Sequence, residues 1–123
     1  MSKHDKAVEL IAAWLRTTSP VEVHTNPGRT KNHEVDGRWP DLVCIEKISG
    51  SVAYVGEVET EESLTAKEAE QWKAYSWKGY GFSVFVPAGC CREARKLASD
   101  ADVHADINEY TLTDEGAQVL ACV

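Results

Sequence analysis

The segment Phe82-Ser-Val-Phe-Val86 restricts the fold of this chain more than any other. It reads as a continuous apolar run. A strand with one wet face alternates polar and apolar residues; a strand without that alternation needs cover on both faces. Helices must therefore lie on each side of a sheet in which this strand is central. The residues just before it supply one such helix, from Ala66 to Lys78. Thr65 and Glu68 form a capping box at its start, and Gly79 ends it.

The rest of the chain falls into place around this unit. Ala7, Val8, Ile11, Trp14 and Leu15 recur at three and four residues, which predicts an amphipathic helix over Lys3 to Arg16, capped by Ser2 and stopped by Pro20. Val21 to His24 alternates as a strand, and Asn26-Pro-Gly28 turns the chain. Arg29 to Trp39 is polar and reads as a long connection or a loose hairpin. Pro40 to Glu46 is a second strand, Ser49-Gly50 a turn, and Val52 to Thr60 a third strand. Pro87-Ala-Gly89 opens a helix over Cys90 to Ala98, and Val103 to Leu112 is a last strand. Asp114-Glu-Gly116 reads either as a turn or as a weak helix start. The predicted order is αβββαβαβ: one α/β domain over residues 1–123, with helices flanking a mixed central β-sheet.

Length and composition agree with a single core. The chain has 123 residues, 43% hydrophobic and 27% charged, with no apolar run long enough to span a membrane and no apolar leader after Met1. Thirteen Lys and Arg against twenty Asp and Glu give a net charge of -7. A general polyanion-binding surface is excluded, so any nucleic-acid contact must be local or assisted by a bound cation. Cys44, Cys90, Cys91 and Cys122 contain no C-x-x-C pair, and are expected to be reduced, mostly buried thiols of a cytoplasmic protein.

The chemistry concentrates at two strand ends. Asp41 follows Pro40 at the start of the second strand, and Glu57-Val-Glu59 closes the third. Residues two apart on a strand share a face, so Glu57 and Glu59 point the same way. If the two strands are neighbours, three carboxylates converge, and such a cluster repels itself unless a hard cation such as Mg²⁺ or Mn²⁺ fills it. The same run, prolonged by Glu61 and Glu62, also reads as a solvated acidic face. On the following helix Gln71 and Tyr75 are four apart and share a face, with Trp72 and Ala69 turned to the sheet. Arg29, Lys31 and Arg38, with His33 and Trp39, lie in the loop before Asp41, where they could hold phosphates and stack a base or form a mobile polar loop.

Asp41, Glu57-Val-Glu59 and Gln71-x-x-x-Tyr75, in this order of elements, resemble the PD-(D/E)xK nuclease superfamily. That superfamily contains restriction endonucleases, Holliday-junction resolvases and RecB-type exonucleases. The resemblance covers about residues 3 to 112 and implies a restriction endonuclease-like core. It implies that Asp41, Glu57 and the backbone carbonyl of Val58 bind Mg²⁺ or Mn²⁺, and that Gln71 and Tyr75 orient a site carboxylate or the DNA backbone. The implied activity is metal-dependent hydrolysis of DNA phosphodiesters at Asp41, Glu57 and Glu59. A chain this small is expected to work as a homodimer or beside a partner protein.

One position departs from the pattern: Glu59 stands where the family has Lys. Glu59 could act as a base or hold a second metal, or a lysine elsewhere could serve. Lys67 shares a helix face with Gln71, whereas Lys73 lies on the opposite side. Glu9, on the first helix, falls away from the apolar stripe and reads as solvent-facing. The missing Lys and the acidic balance also fit a second reading, a nuclease-fold module without catalysis that binds nucleic acid or a protein.

Overall fold

The computed structural model describes residues 2–28 and 30–123. The elements in order are α1 (Lys3–Thr18), β1 (Val21–Thr25), β2 (Leu42–Glu46), β3 (Val52–Val58), α2 (Ala66–Trp72), a 3-10 turn (Lys73–Tyr75), β4 (Gly81–Pro87), α3 (Cys91–Asp100), β5 (Asp106–Thr113) and β6 (Gly116–Ala121). The class is α/β, with three helices on one mixed sheet.

The strands lie in sequence order, β1 to β6. β1, β2 and β3 form an antiparallel meander; β4 is parallel to β3 and β5 to β4; β6 folds back antiparallel on β5. Side-chain alternation splits the interior into two. Leu42, Cys44, Val58 and Phe85 face α1, while Val43, Val55, Val84 and Val86 face α2 and α3. The central strand β4 is thus covered on both sides, as its sequence requires.

Local chemistry sets the helix limits. The Ser2 hydroxyl accepts from the Asp5 N–H at 3.0 Å, and Thr65 Oγ1 accepts from the Glu68 N–H at 3.2 Å. The stripe of α1 buries Ala7, Val8, Ile11, Ala12 and Leu15. This helix packs against both edge strands, β1 and β6, so the sheet curls around it.

Four sequence expectations need correction. The second helix leaves α-helical geometry after Trp72, as a 3-10 turn, and does not run on to Lys78. The fifth strand starts at Asp106, because Val103 to Ala105 form the loop that leaves α3. A sixth strand follows a two-residue turn at Asp114-Glu115, where the Thr113 hydroxyl accepts from the Glu115 N–H at 3.2 Å. The sequence Gly-Ala-Gln-Val-Leu-Ala has too little β-branched character and too weak an alternation to announce it. Lastly, Cys91 and Cys122 are joined in a disulfide, and only Cys44 and Cys90 are free. Without β6, nothing in the sequence reading could bring Cys122 to the first turn of α3. Among the described residues, no helix is long and apolar enough to cross a membrane.

Gly56 lies on β3 in a tightly packed part of the sheet. A Cβ there would sit 3.0 Å from the Phe85 ring and 3.2 Å from a Leu42 methyl, both fully packed beneath α1. Gly56→Ala is therefore expected to cost about 1–3 kcal/mol, read as a lower urea midpoint at unchanged slope. An unchanged midpoint would show that the core beside the strand end yields freely.

Candidate active site

The register of β2 and β3 sets Leu42 against Gly56, which places Asp41 beside Glu57 at one end of the sheet. The Asp41 N–H donates to Glu57 Oε2 at 3.0 Å, and the Val58 N–H donates to Asp41 Oδ2 at 2.8 Å. The loop before Asp41 is held by Asn26, only 2% exposed. Its amide donates to the carbonyls of His33 and Pro40 and accepts from the N–H groups of Asn32 and His33, all within 2.8 Å. Every site on that amide is thus used, and the Asn26 N–H bonds the Asp41 carbonyl at 3.0 Å. The sequence showed Asn26 only as a turn former.

A residue that sequence reasoning missed reaches the pair from α1. His4 Nε2 donates to Asp41 Oδ2 at 3.1 Å, and its Nδ1 donates to Asp5 Oδ1 at 3.0 Å. A ring with a carboxylate on each nitrogen is an imidazolium. Its pKa is pushed up to about 9, chiefly by the hydrogen bond to Asp41, against partial burial and with help from Asp5. A readable signal existed. His4 stands three, four and seven residues before Ala7, Val8 and Ile11, a titratable group on the apolar stripe. Glu9, expected in solvent, is half-buried and accepts from the Thr25 hydroxyl at 2.8 Å.

Glu57 opens into a cleft of about 420 Å³ that Arg38, Gln71, Lys73 and Tyr75 also line. Burial, and then the neighbouring Asp41 charge, hold its carboxyl well above the usual carboxylate range. Glu59 goes elsewhere. It is 2% exposed and points beneath α2, where Oε1 accepts from the Ser63 hydroxyl at 2.7 Å and Oε2 from the Trp72 indole N–H at 3.0 Å. Burial pushes its pKa up to about 7, with those two donors acting against it. Its backbone is pinned as well, the N–H to the Phe85 carbonyl and the carbonyl to the Tyr110 hydroxyl. The structure thus brings Asp41 and Glu57 together, with Glu57 on the cleft wall, and buries the third expected carboxylate.

The other expected residues separate in the same way. Gln71 is exposed on the cleft wall. Tyr75 is buried against Phe82, ring centroids 5.4 Å apart, and burial, with the charge of Glu57, raises its pKa. Trp72 and Ala69 pack under the sheet. Lys67 is exposed and does not line the cleft. Lys73 does, drawn to the rim by Glu70 one turn earlier, Nζ to Oε2 2.9 Å. Helical phase alone had set it on the far side. Arg38 reaches the cleft from a tight hairpin. Val35 and Arg38 exchange backbone hydrogen bonds across Asp36 and Gly37, both at positive φ. Lys31 sits over the Trp39 ring, 4.3 Å from its centroid. Arg29 lies outside the described residues. Val58 contributes its N–H to Asp41. Among the described residues, no group of three or more His, Cys, Asp and Glu side chains is arranged to hold a metal ion. The available hard donors are the Asp41 and Glu57 carboxylates.

Compared with models of known protein families, with curated proteins and with solved structures, the chain matches none.

The raised groups fix a pH dependence. A carboxyl or imidazole whose folded pKa is raised binds its proton more tightly in the folded state, so stability falls as pH rises from the unfolded to the folded value. For Glu59 that window runs from the ordinary 4.5 to about 7, and for His4 from 6.5 to about 9. The melting temperature should therefore decline between pH 5 and pH 9. Glu59→Gln should flatten the lower part of the decline and His4→Gln the upper part. A profile that rises across this range would contradict the described ionisation.

Proposed function

We propose that the chain is a metal-dependent phosphodiesterase of the restriction endonuclease-like kind, acting on DNA. The observation that carries this reading is the Asp41–Glu57 pair, side by side at the end of β2 and β3, with Glu57 on a cleft walled by Gln71, Lys73, Tyr75 and Arg38. The mixed α/β sheet, with α1, three antiparallel strands, α2 and a parallel β4 in that order, supports it as the kind of core the resemblance implies.

In this reading Asp41, Glu57 and the Val58 carbonyl hold Mg²⁺ or Mn²⁺, oxygen donors suited to a hard cation. When bound, the ion lowers the pKa of a water and stabilises charge on the phosphoryl oxygens. Lys73 and Arg38 take over the cationic role that Glu59 cannot fill. Gln71 and Tyr75 position the backbone of the strand. Glu59, sealed by Ser63 and Trp72, fixes α2 against the end of β3 and does not act on the substrate. His4 serves as the counter-ion of Asp41 while no metal is held. One cleft with two cations covers little of a duplex, so a second copy or a partner protein completes the grip on DNA.

A second reading is a catalytically silent module that binds nucleic acid or protein. The His4–Asp41 ion pair favours it, because His4 already neutralises the charge of Asp41 and bonds one of its oxygens.

Cleavage of single-stranded, duplex and branched DNA in Mg²⁺ and in Mn²⁺ separates the two. The wild-type chain should cleave slowly. Asp41→Asn and Glu57→Gln should each lose at least about a hundredfold in rate, in line with removing a metal or charge-stabilising group. Lys73→Ala should lose about tenfold or more, a smaller electrostatic contribution. Glu59→Gln should keep most of the activity. Cleavage that survives both carboxylate changes would reject the site, and binding without any cleavage would select the silent module.

A further inference from the structure

Trp77 breaks two rules at once. Its large apolar ring is 75% exposed, and its backbone is held at φ 59°, the left-handed region that a bulky side chain enters only under constraint. Strain of this kind persists where the surroundings impose it, and it gathers at binding sites. The constraint here is an aromatic stack. The indole lies on the His104 imidazole with centroids 4.4 Å apart and planes within 20°. His104 is itself clamped by the buried Ser76: its N–H donates to Ser76 Oγ at 2.8 Å, and the Ser76 hydroxyl donates to the His104 carbonyl at 3.4 Å. One indole face is thus fixed on a rigid support and the other is presented to solvent.

The position of this ring matters as much as its strain. Trp77 and His104 stand between two hollows. One, of about 280 Å³, includes Tyr75, Lys78 and Tyr80. The other, of about 840 Å³, includes Arg95, Asp102 and Asp106. Tyr75 belongs both to the first hollow and to the Glu57 cleft. Neighbouring hollows thus share lining residues, from Glu57 through Tyr75 to Trp77. Along them cations and aromatic rings alternate on a protein whose net charge is -7, the mixture that holds an unpaired strand by its backbone and its bases. The carboxylates of Asp102 and Asp106 repel a phosphate and accept from base N–H groups, so the far hollow suits a base edge.

We propose that Trp77 is a stacking platform for an unpaired nucleobase of a DNA strand that runs from the Glu57 cleft along this groove. The choice of ligand rests on the phosphodiesterase reading; the platform itself rests on the strain, the stack and the continuity of the hollows.

The test is binding of a fluorescently labelled, twelve-residue oligodeoxycytidine at low salt in EDTA, so that nothing is cleaved. Its arms are an abasic strand of equal length and free deoxycytidine monophosphate. The wild-type chain should bind the oligonucleotide with quenching of indole fluorescence, and bind the abasic strand and the mononucleotide more weakly. Trp77→Ala should weaken oligonucleotide binding roughly five- to a hundredfold, as loss of one stacked base does, down to the affinity for the abasic strand. Trp77→Phe should retain most of it. Trp77→Gly, which suits the positive φ, should melt no lower than wild type and yet lose the same binding. Equal binding by wild type, Trp77→Ala and Trp77→Gly would overturn the proposal. So would an abasic strand or a mononucleotide that binds as tightly as the oligonucleotide. Base-dependent binding through Trp77 with no cleavage in any metal would keep the platform and remove the nuclease. Asp41-dependent cleavage with no effect of Trp77→Ala on binding would do the reverse.

Discussion

The contact between the apolar stripe of α1 and the hollow side of the sheet is the constraint on which the rest depends. Val8, Ile11 and Ala12 are fully buried there, and the helix touches both β1 and β6, the two ends of a six-stranded sheet. A flat sheet could not bring both edges to one helix. The pairing of β2 with β3 in this sheet sets Asp41 beside Glu57. The helical phase that buries Val8 and Ile11 aims His4, one turn earlier, at the Asp41 carboxylate. Core and site are thus parts of a single packing arrangement, and movement of α1 would disturb both.

The two carboxylates coexist because their charge is managed. Asp41 is paired with a histidine held protonated, and burial and the Asp41 charge both oppose ionisation of Glu57 and raise its pKa. Each device is electrostatic, and a divalent cation between the two oxygens would serve in its place. His4 and a metal therefore compete for Asp41, and the balance sets how readily the proposed site fills. Glu59 follows a different logic. With a donor on each oxygen and almost no exposure, it ties α2 to the end of β3, so Gln71 on α2 and Lys73 and Tyr75 on the 3-10 turn that follows are placed by a carboxylate that does not line the cleft.

Much of this could be read from sequence where one interaction dominates one segment. The stripe of α1, the capping threonine of α2, the two-sided burial of β4 and the neighbourhood of Asp41 and Glu57 each follow from local periodicity or from strand pairing. What was hidden depends on partners far along the chain. Glu59 reads like Glu57 until Ser63 and Trp72 come to it from the next helix. Lys73 lies on the wrong helical phase until the cleft is seen to open over the end of α2, with Glu70 beside it. Asn26 resembles any turn asparagine until its amide is found to gather the loop from Asn32 to Pro40. β6 carries little alternation of its own and is held by its pairing with β5 and its packing on α1, and without it the Cys91–Cys122 bond has no path. The cation beside Asp41 comes instead from His4, a titratable group one turn before Val8 on the apolar stripe.

The central claim is that Asp41 and Glu57 form one metal-binding unit, and a crystal grown with Mn²⁺ and measured at the manganese absorption edge tests it most directly. The account predicts an anomalous peak bonded to both carboxylates at roughly 2.0–2.6 Å, the range of hard-cation oxygen contacts, with His4 Nε2 withdrawn from Asp41 Oδ2. A Mn²⁺-saturated crystal with no peak there and the His4–Asp41 contact intact would contradict it.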